Sequence, residues 1–386
     1  MARHLLVTND FPPKVGGIQS YLYELWRRLE PGRAVVLTAS SHEDALDFDQ
    51  GSGLVVERVR ASTLFLPTPR VLREIRAAIR RHQPELVLFD PAWPLGLLGR
   101  LLPVPYGVVV HGAEVTIPGH LPFVAASLRR VLRHAAVVIA AGTYPEEQTR
   151  RVAAEEHPPV IQAPPGVDVA RFTPLDDDAR AVRRQALGLR VDEQVVLSYS
   201  RLVPRKGFDT LIRASARLAP QFPNLRVYVG GSGRDRARLE RLATRLRAPV
   251  TFLGRVDDEA LVSWLGASDL FVMDCRHRWL GLEAEGFGIV FVEAQAMSRA
   301  TVAGRSGGSH EAVDNGRTGV VLPRPRSVRA LADAMAALLN DEERRARYEG
   351  AAREFARAHY DWDVIAQRVA RELSSFDHYD SPDTLT

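Results

Sequence analysis

A periodicity that runs through the chain twice constrains its fold more than any other feature. Short apolar runs rich in β-branched residues alternate with longer stretches of helical period, which is the pattern of βα units on a parallel sheet. The first series reads as strands over Leu5–Thr8, Ala34–Thr38, Leu54–Arg58, Glu85–Phe89, Tyr106–Val110 and Val137–Ala140, with helices such as Gly17–Leu29 and Pro69–His82 between them. The second reads as strands over Gln194–Ser200, Arg226–Val229, Val250–Leu253, Asp269–Met273, Thr301–Ala303 and Gly319–Leu322. Its helices fall near Phe208–Leu218, Arg236–Arg247, Asp258–Gly266 and Gly288–Met297. Between the two series lies Ala163-Pro164-Pro165-Gly166-Val167-Asp168, whose paired prolines and glycine stop helix and strand alike.

An α/β chain with two Rossmann-like parallel-sheet domains facing a central cleft is therefore expected. The first domain covers residues 1–164 and the second 165–359, the latter closing with helices over Val328–Asn340 and Glu342–His359. A final helix within 360–374 carries Trp362, Val364, Ile365 and Val369 on an apolar side expected to pack back on the first domain, and a polar, frayed tail follows over 375–386. Open parallel sheets bind ligands outside the carboxyl ends of their strands, so the chemistry is expected in the loops that follow strands.

Composition narrows the function. The 386 residues carry 51 basic and 47 acidic groups, an excess too small and too evenly spread to select nucleic acid as a partner. The single cysteine, Cys275, has no internal disulfide partner, and no Cys/His cluster has zinc-ligand spacing, so no structural metal is expected. The N-terminus lacks the long apolar region of a signal peptide, and no apolar run approaches the roughly 18–20 residues needed to cross a bilayer. Only Lys14 and Lys206 are lysine. In a chain that otherwise uses arginine, a lysine marks a place suited to a compact point charge.

Four loops carry candidate chemistry. Gly16-Gly17 lies between the first strand, which ends Thr8-Asn9-Asp10, and the first helix, where backbone N–H groups approach an anion closely. Arg201 and Lys206 bracket the mouth of a helix in the second series, and two cations beside a helix N-terminus suit a diphosphate. Glu285 precedes Gly286-Phe287-Gly288-Ile289, and Glu293 follows. On one continuous helix the two carboxylates would stand about 80° apart, so the glycines place Glu285 on a loop and Glu293 in the helix after it. The loop amides then bind phosphate, while Glu293 accepts hydrogen bonds from two neighbouring hydroxyls such as those of a ribose. His111 ends an apolar strand at the carboxyl edge, where a histidine serves either as a hydrogen-bonded structural group or as a contact to substrate.

Together these stretches resemble the retaining GT-B glycosyltransferases of glycosyltransferase family 4. The resemblance covers nearly the whole chain, from Asn9-Asp10-Phe11-Pro12-Pro13 with Gly16-Gly17, through Pro165-Gly166-Val167-Asp168 with Phe172 and Pro174, to Arg201-Leu202-Val203-Pro204-Arg205-Lys206-Gly207 and Glu285…Glu293. Within the family, Cys275-Arg276 and Glu285-Gly286-Phe287-Gly288-Ile289-Val290-Phe291 are similar to actinobacterial phosphatidylinositol mannosyltransferases, in particular those that add the second mannose.

The resemblance implies transfer of a hexose, mannose from GDP-mannose, to a phosphatidylinositol-type glycolipid in α-1,6 linkage to the monomannoside. It needs no cofactor and no metal. It implies donor contacts from Gly16, Gly17, Arg201, Lys206, Arg255, Val256, Glu285, Gly286, Phe287, Gly288, Ile289 and Glu293, acceptor contacts from Asn9, Asp10 and His111, and catalytic roles for His111, Arg201, Lys206 and Glu285. The loop Gly254-Arg255-Val256 does not distinguish guanine from uracil, so a family 4 enzyme using a UDP-sugar with a soluble or polysaccharide acceptor is an alternative, as is a nucleotide-sugar epimerase.

After Thr68-Pro69, the arginines Arg70, Arg73, Arg76, Arg80 and Arg81 fall within an arc of about 140° on one helix, opposite Val71, Leu72, Ile75, Ala78 and Ile79. Arg129, Arg130 and Arg133 form a second cluster. On pattern alone the stripe is a solvated helix face; with a lipid acceptor it becomes a polybasic contact with an anionic leaflet. The expected location is then cytoplasmic, peripheral on the inner face of the cell membrane, with a nucleotide sugar, a glycolipid and an anionic membrane surface as partners.

Overall fold

A computed structural model describes residues 1–39, 44–59, 63–154 and 157–376. They form two compact units, Met1–Pro165 together with the chain from Trp362 onward, and Gly166–Asp361.

In the first unit, strands β1 (His4–Thr8), β2 (Ala34–Ala39), β3 (Val55–Val59), β4 (Leu86–Asp90), β5 (Tyr106–Val110), β6 (Val138–Ala140) and β7 (Val160–Gln162) form one sheet in the order β3-β2-β1-β4-β5-β6-β7. Every pairing is parallel. Helices α1 (Gly17–Trp26), α2 (Ala45–Gly51), α3 (Pro69–His82), α4 (Ala113–Gly119), α5 (Pro122–His134) and α6 (Thr143–Ala153) make the connections. Leu5, Leu6 and Val7 of β1 are fully buried, as befits a central strand whose two faces both carry apolar layers. Helix α3 has the bounds expected of it because Thr68 caps it, its hydroxyl oxygen accepting from the Val71 amide at 3.3 Å, with Pro69 at the first helical position.

The second unit repeats the plan. Strands β8 (Gln194–Tyr199), β9 (Leu225–Gly230), β10 (Val250–Gly254), β11 (Leu270–Met273), β12 (Ala300–Gly304) and β13 (Gly319–Leu322) lie in the order β10-β9-β8-β11-β12-β13, all parallel. Helices α7 (Asp177–Ala186), α8 (Phe208–Leu218), α9 (Arg236–Leu246), α10 (Asp258–Ala267), α11 (Ile289–Ala296), α12 (Val328–Asn340) and α13 (Glu342–His359) surround them. Each sheet reverses its strand order once, between β1 and β4 in the first and between β8 and β11 in the second. Crevices at such reversals are where open α/β sheets hold ligands.

The last helix, α14 (Trp362–Leu373), belongs to the first unit, where Trp362, Ile365, Ala366, Val369 and Leu373 join the core around Tyr21, Leu22 and Trp26. The unit boundaries thus fall at 165/166 and 361/362 rather than at 164/165 and 359/360. Ser374–Phe376 forms a short 3-10 turn, and the rest of the tail lies outside the described residues. Helix α1 stops at Trp26, three residues short of the expected Leu29, and α2, α4–α7 and β7 are elements that the apolar pattern did not delimit.

Candidate active site

At the reversal of the second sheet, β8 runs into Ser200-Arg201 and a short 3-10 turn, Pro204–Lys206, which delivers the chain to α8 through Gly207. Gly207 has φ 75°, and a Cβ there would overlap the Asp274 carbonyl that follows β11. Only glycine lets the loop after β8 and the loop after β11 approach this closely. The approach places the ammonium of Lys206, whose side chain is only 7% exposed, 2.8 Å from Glu285 Oε2. Arg205 Nε stands 3.6 Å from the same oxygen, and the Cys275 thiol lies 3.8 Å from it.

Burial alone would raise the Glu285 pKa, but the charges of Lys206 and Arg205, the Lys206 hydrogen bond and the charge of Arg201 outweigh it and hold the carboxyl below its ordinary value. Three cations, Arg201, Arg205 and Lys206, thus act on Glu285, with Glu283 also 3.9 Å from Arg205. Lys206 has three N–H donors, so its bond to Glu285 leaves donors for an anion. The lysine and glutamate expected to serve different parts of a ligand are thus direct partners. Beneath them Arg276 pairs with Asp209 at 2.8 Å and its amide donates to the Arg205 carbonyl at 2.9 Å. Asp274, pushed up to about 6 by burial, accepts from the Arg326 amide at 2.9 Å.

The Glu285 backbone is fixed from the far side. Its amide donates to Ser306 Oγ at 3.3 Å and its carbonyl accepts from the Gly308 amide at 2.9 Å. Gly307, in the left-handed region at φ 52°, lies so close that a Cβ would overlap the Glu285 carbonyl, and its amide donates to His277 Nε2 at 2.7 Å. Gly288 caps α11, with Gly286 and buried Phe287 before it and Ile289 as its first residue.

Glu293, one turn into α11, is half-buried in surroundings different from those of Glu285. Burial, helped by the negative charge of Asp258 and opposed by Arg171, pushes it up to about 7. Tyr199, at the end of β8, feels the charges of both Glu293 and Arg255. Arg255 is exposed and Val256 buried, just after β10.

The first unit's reversal holds a second polar cluster. Thr8, the last residue of β1, donates to Asp90 Oδ2 at 2.7 Å across to β4, and Asp90 Oδ1 meets His111 Nε2 at 2.8 Å. Burial would lower the His111 pKa, but the charge and hydrogen bond of Asp90, followed by the charges of Glu114 and Asp10, raise it. The Tyr21 ring stands edge-on to the imidazole, centroids 5.2 Å apart. Glu114 Oε1 accepts from the amides of His111 and, at 3.0 Å, Gly112.

Asp10 Oδ1 takes the Lys14 ammonium and the Gln19 amide, the latter at 2.6 Å, so the second lysine has a local partner. Asn9 Oδ1 accepts from Thr63 Oγ1 and the Leu64 amide, both at 3.1 Å, which assigns it a task in pinning the loop before α3. Gly16 is extended at φ 167° and Gly17 opens α1 with nothing crowding it. Sequence reasoning missed Asp90, Glu114, Asp274 and Ser306, whose partners lie 2 to 82 residues away. Arg205 lay inside a motif already noted, beside Lys206.

The arginines of α3 are all exposed, but Arg76 donates to the Leu101 carbonyl at 2.7 Å and Arg81 pairs with Glu57 of β3. In the second cluster, Arg129 and Arg133 donate to the Val152 and Ala153 carbonyls at the end of α6, at 2.8 and 3.4 Å. Among the described residues, no helix is long and apolar enough to cross a membrane.

The chain is 36% identical to the GDP-mannose-dependent monoacylated alpha-(1-6)-phosphatidylinositol monomannoside mannosyltransferase of Corynebacterium glutamicum, over 96% of this chain and 97% of that one. It is 38% identical to the GDP-mannose-dependent alpha-(1-6)-phosphatidylinositol monomannoside mannosyltransferases of Mycolicibacterium smegmatis, over 96% of this chain and 98% of that one, and of Mycobacterium tuberculosis, over 98% and 99%. Among solved structures, Anabaena HepE in complex with UDP superposes with a TM-score of 0.80 over 97% of this chain and 100% of that chain at 22% identity. Sucrose-phosphate synthase from Thermosynechococcus elongatus does so with a TM-score of 0.80 over 96% and 98% at 23% identity. These likenesses establish the GT-B fold. The family profiles described as Glycosyltransferase Family 4 and Glycosyl transferases group 1 match residues 15–171 and 179–355. With near full-length relatives at this identity, the chain belongs to glycosyltransferase family 4 and is a glycosyltransferase.

Proposed function

We propose that the enzyme moves mannose from GDP-mannose, with retention at the anomeric carbon, to phosphatidylinositol monomannoside in α-1,6 linkage. The near full-length similarity to three GDP-mannose-dependent monomannoside mannosyltransferases carries this reading.

In this reading Arg201 and Lys206 neutralise the charge that grows on the departing diphosphate, the largest electrostatic change of the step. The amides of Gly286–Ile289 at the start of α11, and those of Gly16 and Gly17 at the start of α1, serve as anion donors. Glu285 receives hydroxyls of the transferred sugar while Lys206 and Arg205 keep it ionised. Glu293, when ionised, accepts both ribose hydroxyls, and Arg255 and Val256 border the base. Asn9, Asp10 and His111 of the first unit serve the acceptor, with Asp90 holding the His111 ring. Same-face attack is assigned: the acceptor hydroxyl oxygen bonds to the anomeric carbon as the bond to the diphosphate breaks, and the leaving phosphate oxygen takes the acceptor's proton. Charge neutralisation by arginine and lysine needs no metal, so EDTA is expected to leave the rate unchanged.

The exposed arginines of α3 are assigned to an anionic leaflet, which makes the enzyme peripheral on the cytoplasmic face of the membrane. Incubation with GDP-mannose and phosphatidylinositol monomannoside is the decisive assay. The expected product is a dimannoside whose new linkage is α by NMR. Transfer from UDP-sugars alone would overturn the donor, and a β linkage the mechanism.

A further inference from the structure

Between β11 and Glu285 the chain closes a small loop that the reaction as described does not use. Arg278 and Glu283 pair across it as a short antiparallel bridge, the Arg278 amide donating to the Glu283 carbonyl at 2.9 Å and the Glu283 amide returning a bond at 3.2 Å. Their side chains repeat the pairing, Arg278 Nη1 donating to Glu283 Oε2 at 2.9 Å. Arg205 ties the loop to the active site, 3.9 Å from Glu283 Oε1 and 3.6 Å from Glu285 Oε2. At the tip stands Trp279, 61% exposed, with Leu282 also exposed. The Trp279 backbone is left-handed at φ 49°, and the Arg278 guanidinium carbon lies 4.8 Å from its ring centroid.

A turn that only reversed the chain would place glycine or asparagine at positive φ and a polar side chain in the water. Here an indole takes that position, although the left-handed conformation costs a residue with a Cβ about 1–2 kcal/mol. Strain of this kind persists where the surrounding structure enforces it, and it concentrates at ligand contacts. The Arg278 guanidinium lies over the ring, and an indole that is still 61% exposed keeps area for a ligand. An electron-rich aromatic face attracts the polarised C–H bonds of a pyranose ring. Arg278 is paired with Glu283 and Arg276 with Asp209, so neither of the loop's own arginines is left to select an anionic leaflet.

We propose that Trp279 is an acceptor-contact residue, its indole face stacking on a sugar ring of the acceptor. The inference rests on the glycosyl-transfer reading above. It is tested with the full chain, GDP-mannose and deacylated phosphatidylinositol monomannoside, which keeps the sugar rings but has no acyl chains. W279A and W279G are expected to raise the acceptor KM about three- to tenfold, the range that stacking energies imply. W279F keeps most of the affinity, and the GDP-mannose KM stays within about twofold in all three.

An unchanged acceptor KM in W279A and W279G overturns the proposal. So does wild-type behaviour of W279G beside an impaired W279A, because glycine relieves the backbone strain without restoring the ring. A third overturning result is loss of binding to acceptor-free phosphatidylglycerol vesicles with the deacylated acceptor KM intact, which would make Trp279 a membrane contact. Absence of transfer by the wild-type enzyme to the monomannoside refutes the acceptor reading instead, and the three variants are then compared on whichever sugar acceptor the wild type uses.

Discussion

Glu293 sits half-buried beside Asp258 with its pKa pushed up to about 7, so near neutral pH it exchanges between a neutral and a charged form. A carboxyl whose folded pKa exceeds its unfolded value of 4.5 favours the folded state at low pH. That benefit is lost as pH rises from about 4.5 to 7, leaving a penalty of up to about 3 kcal/mol above it. E293Q is therefore expected to melt higher than wild type at pH 8 and equally at pH 4. If the ribose is held by the carboxylate, the same variant raises the GDP-mannose KM, and the wild-type donor KM climbs as pH falls below about 7. Thermal melts and donor titrations across pH check both halves.

Lys206 makes a sharper case: K206A is expected to lower kcat/KM by about 10²- to 10³-fold, the range for removing one donor from a developing anion. Wild-type kcat/KM in that variant would remove the lysine from the leaving-group role. At the other reversal, Asp90 raises the pKa of His111 by charge and by a 2.8 Å hydrogen bond. The imidazolium form stabilises the fold fully below the unfolded histidine pKa, and that contribution fades as pH rises through the higher folded value. In D90N the His111 ring is expected to titrate at lower pH, read directly from its NMR shifts. Lys206 was visible in the sequence as one of two lysines, and His111 as the end of an apolar strand. Asp90 was not, because a strand-end aspartate 21 positions away carries no local sign of its partner.

Helix α3 shows how much a single element discloses. Its bounds follow from the Thr68 cap, Pro69 and the apolar face, of which Val71, Ile75, Ala78 and Ile79 are buried and Leu72 half-buried. The fate of its arginines was not in the helix itself. Arg81 and His82 reach Glu57 on β3, and Arg76 reaches Leu101, so three of the helix's basic groups are already engaged within the unit. The charge reversal that isolates a membrane role is R73E with R80E, both exposed. The double variant is expected to lose binding to anionic vesicles, about 1 kcal/mol per neutralised arginine before the added repulsion, while GDP-mannose binding stays unchanged. Vesicle sedimentation at low and high salt measures it, and undiminished binding would assign the stripe to solvent.

The polypeptide as a whole is divided by contacts that do not follow chain order. Helix α14 comes after the entire second unit and yet completes the core of the first, where Trp362 lies 6.0 Å from Tyr21, ring to ring. W362A is expected to destabilise the first unit by about 3–5 kcal/mol. Hydrogen exchange should quicken in β1, α1 and β7 and remain unchanged in β8 to β13; uniform protection in both units would contradict this placement.

The sequence by itself determined the two βα series, the junction at Pro164-Pro165-Gly166, the return of an apolar last helix and the motifs that mark family 4, because periodicity, caps and turn residues act over a few positions. Tertiary structure alone decided the strand orders with a reversal in each sheet, the pairing of Lys206 with Glu285, the Asp90–His111 contact and the exposure of a strained Trp279. These depend on which strand ends become neighbours after long crossovers, and a local pattern does not encode that choice.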